Sequence, residues 1–188
     1  MFSLAWVLVP RLAEAHLIST GLGPVYDGVT HLVLSPEDAL PTLALAVFTG
    51  LRGNGHARYA VLALPLAWFI GGIVGAAAGT AVPNAIAWLP LLALGGLVAT
   101  DVRMSVAMTT ALALIVGAGL GLANGGAMAQ AGAGLRGVAG STAAVFVIAT
   151  LAAAAASASH AGWLRIAWRV AGSWIAAGGL LLLGWSLR

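Results

Sequence analysis

The side chains of this 188-residue chain that could do chemistry gather near its start. In GLGPVYDGVTHLVLSPEDALPTLALAVF, residues 21–48, three carboxylates (Asp27, Glu37, Asp38) accompany one imidazole, His31. Helical spacing after Pro24 would place Asp27 and His31 four apart on one face. A carboxylate there can hold a cation beside the imidazole, or take its second N–H and fix the tautomer, as acids behind metal-bound histidines do. The plain alternative is an Asp–His hydrogen bond that steadies a loop. Imidazole and carboxylate together suit nickel, copper or zinc better than magnesium.

Two more residues join this candidate set. Cleavage after Ala15 would make His16 the amino terminus, and its α-amine and imidazole could then chelate one transition metal. Asn124, in GLGLANGGAMAQAGAG (119–134), could offer an amide oxygen to an ion, but the stronger expectation is a cap closing a helix beside Gly125. His56 and His160 stand near arginines and read as solvated loop residues. No catalytic set emerges: the chain has no phosphate-cradling glycine loop, no HExxH and no GxSxG. Lacking cysteine, it can carry no disulfide, thiolate metal site or Cys nucleophile.

The elements that must position these residues are apolar. Hydrophobic residues make up 61% of the chain and charged ones 7%, with a mean hydropathy of +1.04, which is too little polar surface to enclose a water-soluble core. The charge of +3 comes from eight arginines, no lysine and five acids scattered singly. That excludes a nucleic-acid patch. No segment alternates with period 2, so a barrel is not expected.

The fold class expected is all-α, a polytopic membrane helical bundle of about six transmembrane helices preceded by a short re-entrant or amphipathic segment. A span needs about 20 apolar residues, and candidates lie near 36–51, 57–80, 84–100, 104–122, 138–159 and 166–187. Residues 1–15 carry an apolar run, Pro10 and a small-x-small end at Ala13-Glu14-Ala15, which reads as a signal peptide. The alternative is a short attached amphipathic or partial span. Residues 16–188 form a single transmembrane domain.

With residues before 35 outside, the inner connections carry Arg52, Arg58, Arg103, Arg165 and Arg169, against Arg136 and Arg188 outside, as the positive-inside rule asks. Asp27, Glu37 and Asp38 then face outward. Ser35-Pro36-Glu37-Asp38 is also a helix start, with Ser at N-cap, Pro at N1 and acids against the positive end of the helix dipole. The helix it opens runs only to about Gly50, roughly 24 Å against a hydrocarbon core of about 30 Å, so its tip would lie below the surface. Such an end is tolerated where it is buried in protein or lines a wet cavity. Pro41 would free a carbonyl near the same spot. Gly71, Gly75 and Gly79 in one span, and Gly117, Gly121 and Gly125 in another, predict close helix packing, within the chain or across a homo-oligomer. Gly172, Ala176 and Gly179 predict the same for the last span.

The run GLGPVYDGVTHLVLSPEDALPTLALAVFTGLRG, followed by five apolar spans, resembles the HupE/UreJ family, small bacterial permeases associated with hydrogenase and urease and linked to nickel uptake. The resemblance spans nearly the whole chain in layout, and its specific part is about thirty residues. The family's first motif is a His, five residues, then Asp-His. Here His31 matches, Glu37 replaces the Asp, and Asp38 stands where the second His would be. The second motif, Phe-His-Gly-x-Ala-His-Gly-x-Glu, aligns with Gly119–Ala127: Gly121, Ala123 and Gly125 match, while Leu120 and Asn124 replace the histidines and Ala127 the Glu. The resemblance implies an inner-membrane permease, with its amino terminus periplasmic, for a divalent transition metal: nickel first, cobalt or copper as variants. His31, Asp27, Glu37 and Asp38 are the expected capture site. The rival expectation is a non-transporting membrane subunit that serves a partner metalloenzyme. An enzyme is not expected.

Overall fold

The computed structural model describes residues 20–79 and 88–187, and every regular element among them is a helix. In chain order these are α1 (Pro24–Leu34), α2 (Pro36–Gly50), α3 (Asn54–Ala78), α4 (Trp88–Thr100), α5 (Val106–Gln130), α6 (Gly134–Ser157) and α7 (Gly162–Ser186). The expected signal segment 1–15 and His16 lie outside the described residues.

Helices α3, α5, α6 and α7, of 24 or 25 residues, rise about 36–38 Å, enough to cross a hydrocarbon core of about 30 Å. Helix α2 has 15 residues and α4 has 13, or about 22 Å and 20 Å. Among the described residues four helices can therefore cross a bilayer, or five spans if α1 and α2, which meet at a 74° bend, count as one broken span. This corrects the expected six. The shortfall is α4, whose 13 described residues are too few to span alone; the bend itself lies at Ser35-Pro36, where the proline ring bars the preceding residue from the α region, Ser35 is extended at φ −100°, ψ 96°, and the chain turns. Ser35 does occupy the N-cap with Pro36 at N1, although its hydroxyl makes no capping bond. Pro41 lies inside α2 without ending it.

A second correction concerns the span expected at 104–122. Helix α5 continues to Gln130, through the glycine-rich stretch. Each interior glycine costs a helix about 1 kcal/mol, and here tertiary contact outweighs it. A Cβ at Gly117, Gly121 or Gly125 would strike the backbone carbonyl of Leu64, Trp68 or Gly72 of α3, and one at Gly71 or Gly75 would strike Ala118 or Leu122 of α5. The two backbones touch, as small residues permit in membranes, so these faces are occupied within one chain. Gly79 does something else: at φ 64° it is the left-handed C-cap of α3.

The same device joins α7 to α4, where Gly172 meets Val98 and Gly179 meets Leu92, and α1 to α6, where Gly28 meets Gly137. Helix α2 is the centre. From Pro41 to Gly50 all its residues but Leu43 are buried, and Gly50 rests on Ala153 and Ala156 of α6.

At one end of the bundle the connections meet through charge. Asp101 pairs with Arg165 at 2.7 Å and with Arg52 at 3.7 Å. Arg52 also donates to the Phe48 carbonyl and to that of Val102, and its guanidinium lies 3.4 Å from the centre of the Phe48 ring. Burial draws the Arg52 pKa below its ordinary value; Asp101 works against this and Arg165 adds to it. Arg52, Arg165 and Arg169 thus share one end, and Arg136, near the start of α6, belongs to the other. His56 is not free in a loop as expected: Nδ1 lies 3.1 Å from the Thr109 hydroxyl, while His160 is exposed.

Asp101 is the one described non-glycine residue with positive φ, at 54°. Asp101→Asn keeps a side chain that tolerates this backbone but leaves two arginines facing each other, one of them mostly buried. We expect a loss of roughly 2–3 kcal/mol, read as a lower Tm in detergent.

Candidate functional site

The tip of α2 is where polar groups meet inside the bundle. Asp38 sits in the first turn of α2 and is 6% exposed. The α1–α2 bend turns His31, in the last turn of α1, back over it, and His31 Nε2 lies 3.8 Å from an Asp38 carboxylate oxygen. From α5, Asn124 presents its amide beside Asp38. That amide nitrogen is buried and closes no hydrogen bond. The Asn124 oxygen accepts from the Ser141 hydroxyl of α6 at 2.7 Å, and the Trp68 indole N–H of α3 donates to the Ser141 oxygen at 3.3 Å.

Five helices therefore contribute one side chain each to the chain Trp68–Ser141–Asn124–Asp38–His31. Its depth follows from helix geometry. Asn124 is six residues from the end of α5 and Ser141 seven from the start of α6, placing both about 10 Å inside the bundle. Buried polar groups at such depth are costly and mark function by default. Asn124 links two of these groups, its oxygen accepting from Ser141 and its N–H side facing the Asp38 carboxylate without a hydrogen bond of full geometry.

The other expected residues are placed differently. Glu37 is exposed at the rim, near enough to act electrostatically on both His31 and Asp38. Asp27 shares a helix face with His31, yet its carboxylate is taken by Thr20, accepting from the backbone N–H and the hydroxyl at 2.7 Å each. It does not fix the imidazole. Asn124 is no helix cap, because α5 runs six residues past it. Among the described residues no three His, Asp or Glu side chains gather as a ready-made metal site; the donors that meet are His31, Asp38 and the Asn124 amide.

Sequence reasoning missed Ser141 and Trp68. Each had a signal: Ser141 is a hydroxyl among glycines and alanines well inside a span, and Trp68 lies mid-span, away from the interfacial belts where tryptophan is ordinarily found. Ser141→Ala strands both the Asn124 oxygen and the Trp68 N–H. A loss of about 1–2 kcal/mol is expected, measured as a shift in thermal unfolding that Ser141→Thr partly reverses.

Toward the Arg52 end the buried polar side chains among the described residues are threonines. The Thr42 and Thr49 hydroxyls bond back to carbonyls of α2 itself, and Leu45, Phe48, Leu64 and Val145 are fully buried around the helix. On one side of the site His31 is half-buried and Glu37 exposed; on the other lie buried apolar side chains.

The fold and site together define an all-helical membrane bundle whose central broken helix carries a buried carboxylate under an imidazole. No protein-family model matches the chain, and neither a curated protein nor a solved structure matches it.

Proposed function

We propose that this protein is a permease for a divalent transition-metal cation, nickel foremost, carrying it from periplasm to cytoplasm across the bacterial inner membrane without hydrolysing nucleotide itself. The observation that carries this reading is the His31–Asp38 pair held beside Asn124 at a submerged helix tip. A carboxylate and an imidazole suit a borderline cation, and so few donors suit a site that must release its ion as well as capture it. Glu37 at the rim would draw cations in. The broken α1–α2 element supports the reading too, since interrupted helices at a binding site are the recurrent device of secondary transporters.

The resemblance to HupE/UreJ proteins gains support from the same geometry. The two segments that carry it, 31–38 and 119–127, meet through Asp38 and Asn124, both positions where the family pattern has imidazoles. Arginines sharing one end support placing that end in the cytoplasm.

The buried apolar side chains on the Arg52 side of Asp38 favour a second reading, a membrane subunit that hands metal to a partner metalloenzyme. Proteoliposomes containing the full chain alone and loaded with a nickel-sensitive dye separate the two. A permease fills the lumen at a rate that saturates with external Ni²⁺. An accessory subunit leaves it empty and co-purifies with its enzyme.

A further inference from the structure

Helices α6 and α7 follow one another in the chain but do not pack as a pair: α7 lies on α4, and α6 on α1, α2 and α3. Between them opens a groove of about 470 Å³, floored by Val47 of α2 and walled by Ile148 and Leu151 of α6 and by Trp168 and Ile175 of α7. This volume is ample for a bound small molecule. The one polar atom on those five side chains, the Trp168 indole N–H, is already spent on the Ser159 hydroxyl at 3.0 Å. An apolar hollow of this kind does not hold water, and at this level of the bundle the surrounding phase is hydrocarbon.

The arginine end of α7 says which hydrocarbon. Arg165, three residues before Trp168 on the groove-lining stripe, is neutralised by Asp101. Arg169, exposed and three residues before Gly172, gives only its Nε to the Ala99 carbonyl at 2.8 Å and has no carboxylate partner among the described residues. Its remaining donors lie at the same end of α7 as Trp163, which is 68% exposed, the end where aromatic and cationic side chains meet headgroups. We infer that this groove binds one acyl chain of an anionic phospholipid, with the Arg169 guanidinium holding the headgroup phosphate and Trp168 at the neck. The lipid then lies against the central helix α2, on the side away from Asp38. The inference is independent of which ion, if any, the protein carries.

Native mass spectrometry of the full chain, released from nanodiscs of mixed phosphatidylglycerol and phosphatidylcholine, tests it. The wild type should retain one lipid, preferring phosphatidylglycerol. Ala171→Phe, which fills the groove from its open side, should lose that lipid, and Leu151→Trp provides a second filling variant should the first not fold, as judged by circular dichroism. Arg169→Gln should retain a lipid but lose about fivefold in anionic preference, the worth of one arginine near a charged surface. Retention of the same lipid by a folded groove-filling variant overturns the inference. So does a wild type stripped bare of lipid, or one carrying a second copy or another protein on this face.

Discussion

Gly125→Val should leave little folded protein, whereas Gly119→Val, the same exchange six residues away on α5, should be tolerated. At Gly125 the new Cβ falls on the Gly72 backbone of α3, including its carbonyl carbon and Cα, whereas at Gly119 nothing lies within 4 Å. A flexible side chain could swing aside, but backbone inside a helix cannot, so α3 and α5 must separate. Overpacking commonly costs 1–3 kcal/mol; with rigid backbone as the obstacle and the neighbouring Asn124 displaced as well, we expect about 3 kcal/mol or more. The measurement is the yield of monodisperse protein in detergent and its Tm. Equal behaviour of the two variants would show that the α3–α5 contact is not the seam that holds the bundle.

Asp38→Asn should have the opposite pattern, sparing the fold and abolishing transport. The carboxylate is buried with a histidine 3.8 Å away as its nearest charge partner, and a charge so placed costs stability that a neutral amide of equal size does not. Tm should therefore hold or rise, by up to about 1 kcal/mol in stability. Cation uptake should fall at least about 100-fold, because losing a direct ligand exceeds the 10- to 100-fold cost of losing a supporting group. His31→Ala, which removes the other direct ligand, should fall by a similar factor, and Asp27→Asn little, since Thr20 already occupies that carboxylate. Undiminished nickel uptake by folded Asp38→Asn would remove the proposed site.

How much of this was legible beforehand depended on whether a feature was local. Ser35-Pro36-Glu37-Asp38 announced a helix start, and α2 begins there, because proline's dihedral restriction acts on its immediate neighbours. The glycine spacing in α3 and α5 announced a seam, because residues four apart share a face. The helix end expected near Asn124 failed for the complementary reason: the glycines read as a terminator, but α3 presses on them and α5 continues. Asp27 and His31 did fall on one face, yet the partner of Asp27 came from Thr20, outside that helix.

By itself the sequence determined that the chain is helical and apolar enough for a membrane, where α2 starts, and that Asp27, Glu37 and Asp38 cluster with His31. These follow from composition, proline's dihedral restriction and periodicity, which are properties of neighbouring residues. Only the tertiary structure decided that the described part of α4 is too short to span alone, and that Asp38 turns inward while Glu37 faces out. It also brought Asn124, Ser141 and Trp68, from helices far apart in the chain, to Asp38. A buried polar group must find its partners wherever packing brings them, and no spacing along the chain encodes that meeting.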